Sequence, residues 1–176
     1  MKNIPFTISA RTVKLLGREN VSNAEGAVIE LVKNSYDAGA QIGAVFFDKR
    51  DTDSKKHAIY IIDNGSGMNE EIIEKQWMTI GTDNKEVNFI GVDGRVQSGA
   101  KGIGRLSLDR LGNKTELYTS HKEEERIIRW DVTWGDFETE GISLNNVFAQ
   151  IEKQKGSLLN ILETIYLIIK SLNYFT

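Results

Sequence analysis

The chain has 176 residues, 40% of them hydrophobic, with 22 basic and 25 acidic side chains and a net charge of −3. That length suits one globular domain with its own core, and the charge argues against an indiscriminate nucleic-acid binder, so affinity for polyanions has to come from a specific site. The absence of cysteine excludes disulfides and thiolate metal sites, and the isolated His57 and His121 argue against zinc; with no signal-like or membrane-spanning apolar run, a soluble cytoplasmic protein without a membrane partner is expected.

Residues 4–18 mix Phe6, Ile8, Val13, Leu15 and Leu16 with Arg11, Lys14 and Arg18. They predict an extended lead-in, then a short helix closed at Gly17, packing on the domain or on a partner. Ser22 or Asn23 then caps a helix over residues 24–39, with Glu25 complementing its dipole. At about 100° per residue, Ala24, Ala27, Leu31, Ser35 and Ala38 share one side, while Glu30, Asn34 and Asp37 fall within an arc of roughly 60° beside it. Asn and Asp are poor helix-interior residues because they bond the local backbone in competing conformations. Two of them in the last two turns point to a ligand; the plainer alternative is a solvated polar face ended by Gly39 as a left-handed cap.

Residues 42–47 predict a strand, 48–56 a charged turn and 58–62 a second strand, an α+β signature. Asp63-Asn64-Gly65-Ser66-Gly67-Met68 breaks that strand, and Asn69 caps a helix running through about Trp77. From 79 to 101 periodicity disappears, with Gly81, Gly91, Gly94 and Gly99 in a polar stretch of the kind that forms functional lids or is disordered. Gly102-Ile103-Gly104-Arg105 opens a helix along Ile103, Leu106, Leu108 and Leu111, capped at Gly112. Residues 114–120 and 126–134 predict a strand pair, 135–156 are polar and weakly patterned, and 158–162 read as a last strand. The apolar stripe Ile165, Ile168, Ile169 and Leu172 reads as one layer of an interface, so residues 163–176 are expected to begin a further region of a longer protein.

Phosphates need backbone donors and a cation, which Gly99, Gly102, Gly104 and Lys101 can supply at a helix start. Magnesium prefers hard oxygens and keeps several waters, which suits a single amide carbonyl such as that of Asn34. Glu30, one turn away, is placed to orient or deprotonate a water attacking a terminal phosphate. The familiar phosphate motifs do not fit: Gly94 to Gly99 has the Walker spacing, but Ala100 stands where its lysine belongs, and Gly102-Ile-Gly104 lacks a third glycine.

Together these stretches resemble the GHKL superfamily, the ATP-binding domain shared by DNA gyrase, the ninety-kilodalton heat-shock chaperone, histidine kinases and MutL. Glu30-Leu-Val-Lys-Asn34-Ser-Tyr-Asp37-Ala38 looks like its asparagine box, Asp63-Asn-Gly65-Ser-Gly67-Met68 like its first glycine box, and Gly99-Ala-Lys101-Gly102-Ile-Gly104-Arg105 like its second. Gly156-Ser157 is similar to the family's closing Gly-Thr. The resemblance implies a Bergerat ATP-binding fold, an α/β (α+β) two-layer sandwich with a mostly antiparallel sheet covered on one face by helices, formed by residues 1–176 with a lead-in at 1–20.

It also implies that Asp63 bonds the adenine amino group, Asn34 holds Mg²⁺, Glu30 activates water, Gly67 and Met68 line the adenine pocket, and Asp37 supports the base or ribose. Gly65, Gly81, Thr82, Gly99, Lys101, Gly102, Ile103, Gly104 and Ser157 complete the implied nucleotide contacts, with 81–100 as the ATP lid. Asp37-Ala38-Gly39-Ala40 is very similar to MutL, but Gly-Ala-Lys-Gly-Ile-Gly-Arg departs from MutL and, with Trp77-Met-Thr-Ile-Gly81-Thr82, looks more like chaperone-like or MORC-like bacterial ATPases, some linked to defence. The expected function is an ATPase module of a larger protein, homodimeric in its full-length form, with ATP and ADP as ligands and with nucleic acid or a client protein reached through further domains. The alternatives are a non-hydrolysing ATP/ADP sensor and a histidine-kinase catalytic domain, the latter disfavoured because no phosphoacceptor-histidine helix precedes the domain.

Overall fold

Asn23 starts the helix on which the other segments converge. Its backbone is extended (φ −145°, ψ 173°) and its side-chain oxygen accepts the Gly26 amide at 2.9 Å, which satisfies a donor that the helix itself cannot. In the computed structural model, which describes residues 2–49, 57–81, 94, 96, 103–121, 124, 126–156 and 158, this helix, α2, spans Ala24–Asp37. The chain leaves it through Gly39 at φ 74°, the left-handed conformation that glycine adopts without a Cβ penalty.

Before it, residues 2–8 are extended and helix α1 spans Arg11–Asn20. Gly17 is therefore not the helix end that the sequence suggests. It is buried within α1, where a Cβ would stand 2.4 Å from the Leu106 carbonyl oxygen. The glycine marks the place where α1 crosses the backbone of a 3₁₀ helix, Gly104–Arg110. Ion pairs reinforce that crossing: Asp109, whose side chain is fully buried, lies 3.1 Å from Arg18 Nε and 3.9 Å from Lys14 Nζ.

After α2, β1 (Gly43–Asp48) and β2 (Ala58–Asp63) pair antiparallel with Gly43 opposite Asp63. Asn69 caps α3 (Glu70–Ile72) by accepting the Ile72 amide, and the same helix continues as a π turn, Ile73–Trp77. Strands β3 (Lys114–Thr119), β4 (Arg126–Thr133) and β5 (Gln150–Lys155) form a second antiparallel ladder with β4 in the centre. Every described strand pair is antiparallel, as expected, but the ladder divides into two-stranded and three-stranded groups.

β4 shows why the second ladder holds. Ile128, Trp130 and Val132 alternate toward Val13, Ile73, Leu106, Trp134 and Phe137 in one core, while both edges of β4 are paired. The last strand lies at 150–155, ahead of Gly156, and not at 158–162; Leu158 is helical, and the remainder of that stretch and the stripe at 163–176 lie outside the described residues. Among the described residues no helix is long and apolar enough to cross a membrane.

Candidate functional site

Helix α2 meets two other segments. Near its C-terminal end, Ser35 Oγ donates to Asp63 Oδ2 at 2.8 Å and lies 3.4 Å from the Leu31 carbonyl oxygen. Ser35 is buried, whereas Asp63, at the end of β2, is exposed. The second carboxylate oxygen of Asp63 accepts the Gly65 amide at 2.9 Å, the local turn bond that aspartate favours. Each carboxylate oxygen therefore has one fixed partner and retains acceptor capacity toward solvent. Asn34 adjoins Ser35 in the helix, about 100° around the axis from it.

Four bonds tie the loop after Asp63 to the residues that follow α2, one of them from the Asn64 amide to the Ile42 carbonyl oxygen at 3.3 Å. Asn64 Oδ1 accepts the Gln41 and Ile42 amides, each at 2.9 Å, and the Ser66 amide donates to the Ala38 carbonyl at 2.9 Å. Gly67 sits at φ 66°, and a Cβ there would stand 2.0 Å from the Ser120 carbonyl oxygen, so both conformation and space demand glycine. The Met68 amide then donates to the buried Thr119 Oγ1 at 2.8 Å, and its half-buried side chain packs against the core. A Cβ on Gly65 would stand 2.9 Å from Asp63 Oδ1 and from Ala38 Cβ, so a side chain there would disturb the carboxylate.

The other meeting point lies further back along α2. A Cβ on Gly104 would stand 3.1 Å from Glu30 Oε2, while Glu30 Oε1 accepts from Lys33 Nζ at 2.7 Å. Glu30 and Ser35 are five positions apart, about 7.5 Å along the helix axis. The helix thus acts as a ruler, with the Asp63 loop at one mark and the Gly104 turn at the other. Asn34 and Asp37 are half-buried on the same edge, as is Glu30.

The remaining sequence-predicted residues divide into two groups. Ile103 is half-buried, precedes the 3₁₀ helix and packs against the core. Gly81 has φ 75° with open space where a Cβ would be, so its backbone conformation alone accounts for the glycine. Thr82, Gly99, Lys101, Gly102 and Ser157, with most of the 81–100 stretch, lie outside the described residues. Three contributors go unnoticed in the sequence: Ser35, assigned there to packing, Asn64, and Thr119. Asn64 carries a signal, an Asn-Gly turn; Thr119 carries none, since its bond to Met68 spans 51 positions.

The family model for the histidine kinase-, DNA gyrase B- and HSP90-like ATPases matches residues 21–159. This chain belongs to that family. The match takes in all three segments that meet along α2, and it makes the domain an ATP-binding module of GHKL type. The chain is also 30% identical over 139 residues to a putative type II restriction enzyme, HgiDII, of Herpetosiphon aurantiacus. That alignment covers 73% of this chain and 22% of the relative, so the chain spans well under half of the relative's length.

Proposed function

We propose that the domain binds ATP with magnesium and hydrolyses it, with Glu30 as the base that activates the attacking water. What carries the reading is the pair of meeting points on α2, at helix positions about 7.5 Å apart along the axis: the Asp63 carboxylate held at Ser35, and the Glu30 carboxylate facing the Gly104 turn. Asp63, an acceptor oriented by Ser35 and Gly65, suits the exocyclic amino group of adenine. Gly104 lets backbone amides approach phosphates that a side chain would displace.

Asn34, between the two marks, offers one amide oxygen. Among the described residues no three His, Asp or Glu side chains gather that could hold a metal unaided. A lone amide is nonetheless a suitable donor for magnesium, which keeps waters and draws other ligands from phosphates. When bound, such an ion would neutralise charge building on the phosphates. Glu30 then needs only to take the proton of a water beside the terminal phosphate.

The Lys33–Glu30 pair favours a second reading, a nucleotide sensor whose carboxylate is neutralised. That pair is partly exposed, with side-chain exposures of 45% and 30%, so it is worth under about 1 kcal/mol, and it occupies only Oε1. Hydrolysis is therefore the stronger reading. As part of a larger, dimeric protein, the module would couple ATP turnover to a partner; the putative restriction enzyme among its relatives favours DNA in that role over a client protein. The test is ATP binding and turnover by the full-length protein and by Glu30→Gln: binding kept with turnover lost supports the base, and equal turnover rejects it.

A further inference from the structure

Arg105 follows Gly104 directly, so it leaves the chain where the glycine turn meets Glu30. Its side chain turns to another element: Nη donates to the Thr79 carbonyl oxygen, and the guanidinium carbon stands 5.7 Å from the centre of the Trp77 ring. Trp77 is itself fixed. The π turn that carries it closes with the Met78 amide on the Ile73 carbonyl at 2.8 Å, and its ring meets Trp130 of β4 edge-on at 5.8 Å and 89°. Trp130 Nε1 in turn donates to the Met78 sulfur at 3.2 Å.

Arg105 thus joins the core-anchored segment 77–79 to the turn at Gly104. Burial lowers its guanidinium to about 10, and among the described residues no carboxylate pairs with it. A half-buried cation held by a carbonyl and a ring is more than a structural staple needs, since an apolar side chain of similar volume can fill such a place. The planar fork offers direction, which an apolar chain and an ammonium do not.

We propose that Arg105 is a positioning residue of the ATP site, bridging Trp77 and Thr79 to the Gly104 turn and so fixing the end of the site that receives the phosphates. This inference rests on the ATP-site reading above. It assigns Arg105 an effect on triphosphate affinity that the adenine end, at Ser35 and Asp63, does not share.

The test is calorimetry on the full-length protein with two ligands, adenosine and ATP, for wild type, Arg105→Gln and Arg105→Lys, beside thermal unfolding without nucleotide. Arg105→Gln is expected to bind ATP about tenfold or more weakly, with adenosine affinity unchanged. Arg105→Lys, which keeps the charge and loses the fork, should fall between. Parallel loss of both ligands in a folded variant, or ATP affinity within about twofold of wild type, overturns the inference. If Arg105→Gln does not fold, Arg105→Lys decides by the same comparison. Wild type binding neither ligand overturns the ATP-site reading as well, whereas wild type binding both, with variants that match it, overturns the Arg105 role alone.

Discussion

Exchanging Asp63 for asparagine alters the site while leaving its scaffold in place. Oδ1 still accepts the Gly65 amide, and on the other side the new amide group becomes a donor where Oδ2 had accepted from Ser35. The Ser35 hydroxyl can turn to accept that donor, because its own proton has a second acceptor 3.4 Å away in the Leu31 carbonyl. Both hydrogen bonds that the exposed carboxylate accepts inside the protein lose their charge assistance, which costs the fold about 1 kcal/mol in all. A domain of this size should then lose roughly 2 to 4 °C in its unfolding midpoint.

Toward a nucleotide the change is larger. The exposed acceptor that suits the adenine amino group loses its charge and presents a donor to a donor. Loss of a charge-assisted hydrogen bond is worth about 1.5 to 3 kcal/mol, or roughly ten- to a hundredfold in affinity. Calorimetry on Asp63→Asn should therefore show ATP binding weakened by that factor and the preference for ATP over GTP lost, with the unfolding midpoint barely moved. Unchanged discrimination between ATP and GTP in a folded variant refutes the assignment of Asp63 to the base.

Glu30→Gln should keep ATP affinity within a fewfold and lower turnover by about 10²- to 10⁴-fold, whereas Asn34→Ala should damage both; stopped-time phosphate release beside calorimetry separates the two patterns. Gly67→Ala faces a positive φ and a backbone oxygen at 2.0 Å, so it should cost more than about 3 kcal/mol in urea unfolding and abolish nucleotide binding with it. Gly17→Ala sets about 1 kcal/mol of gained helix propensity against overpacking of up to about 3 kcal/mol at the Leu106 carbonyl. Net destabilisation is expected in the same assay, and a stabilised variant would show that α1 does not cross there as described.

The two α2 contacts were legible in the sequence to different degrees. In the sequence Asn34 and Asp37 single out one edge of α2 because their residue types are poor in a helix interior, and Gly65 and Gly67 mark the loop that follows the strand ending at Asp63. Gly17 was readable as a glycine but not as a crossing: a cap and a close approach demand the same residue, and only Leu106, far along the chain, distinguishes them. β5 escaped because Gln150–Lys155 is an edge strand with nearly every side chain in solvent, so it carries no alternation of apolar and polar residues. The π turn at Ile73–Trp77 likewise leaves no periodic mark, although it places Trp77 beneath Arg105.

Ser35 shows how a site residue can hide within a packing pattern. It occupies the inward side of α2 beside Ala27, and a small buried residue there fits a close helix contact without further explanation. A purely steric role would be met by alanine, which also has the higher helix propensity. What alanine lacks is the hydroxyl that reaches Asp63, and the partner that makes the hydroxyl useful stands 28 positions away on a different element. The helix therefore does two jobs with adjacent residues. Ser35 turns inward to hold the carboxylate of Asp63, and Asn34, its neighbour, stands half-buried on the adjoining edge. A one-residue shift in α2 would carry Ser35 away from Asp63, which gives the Asn23 cap and the Gly39 exit a part in the geometry of the site as well as in the length of the helix.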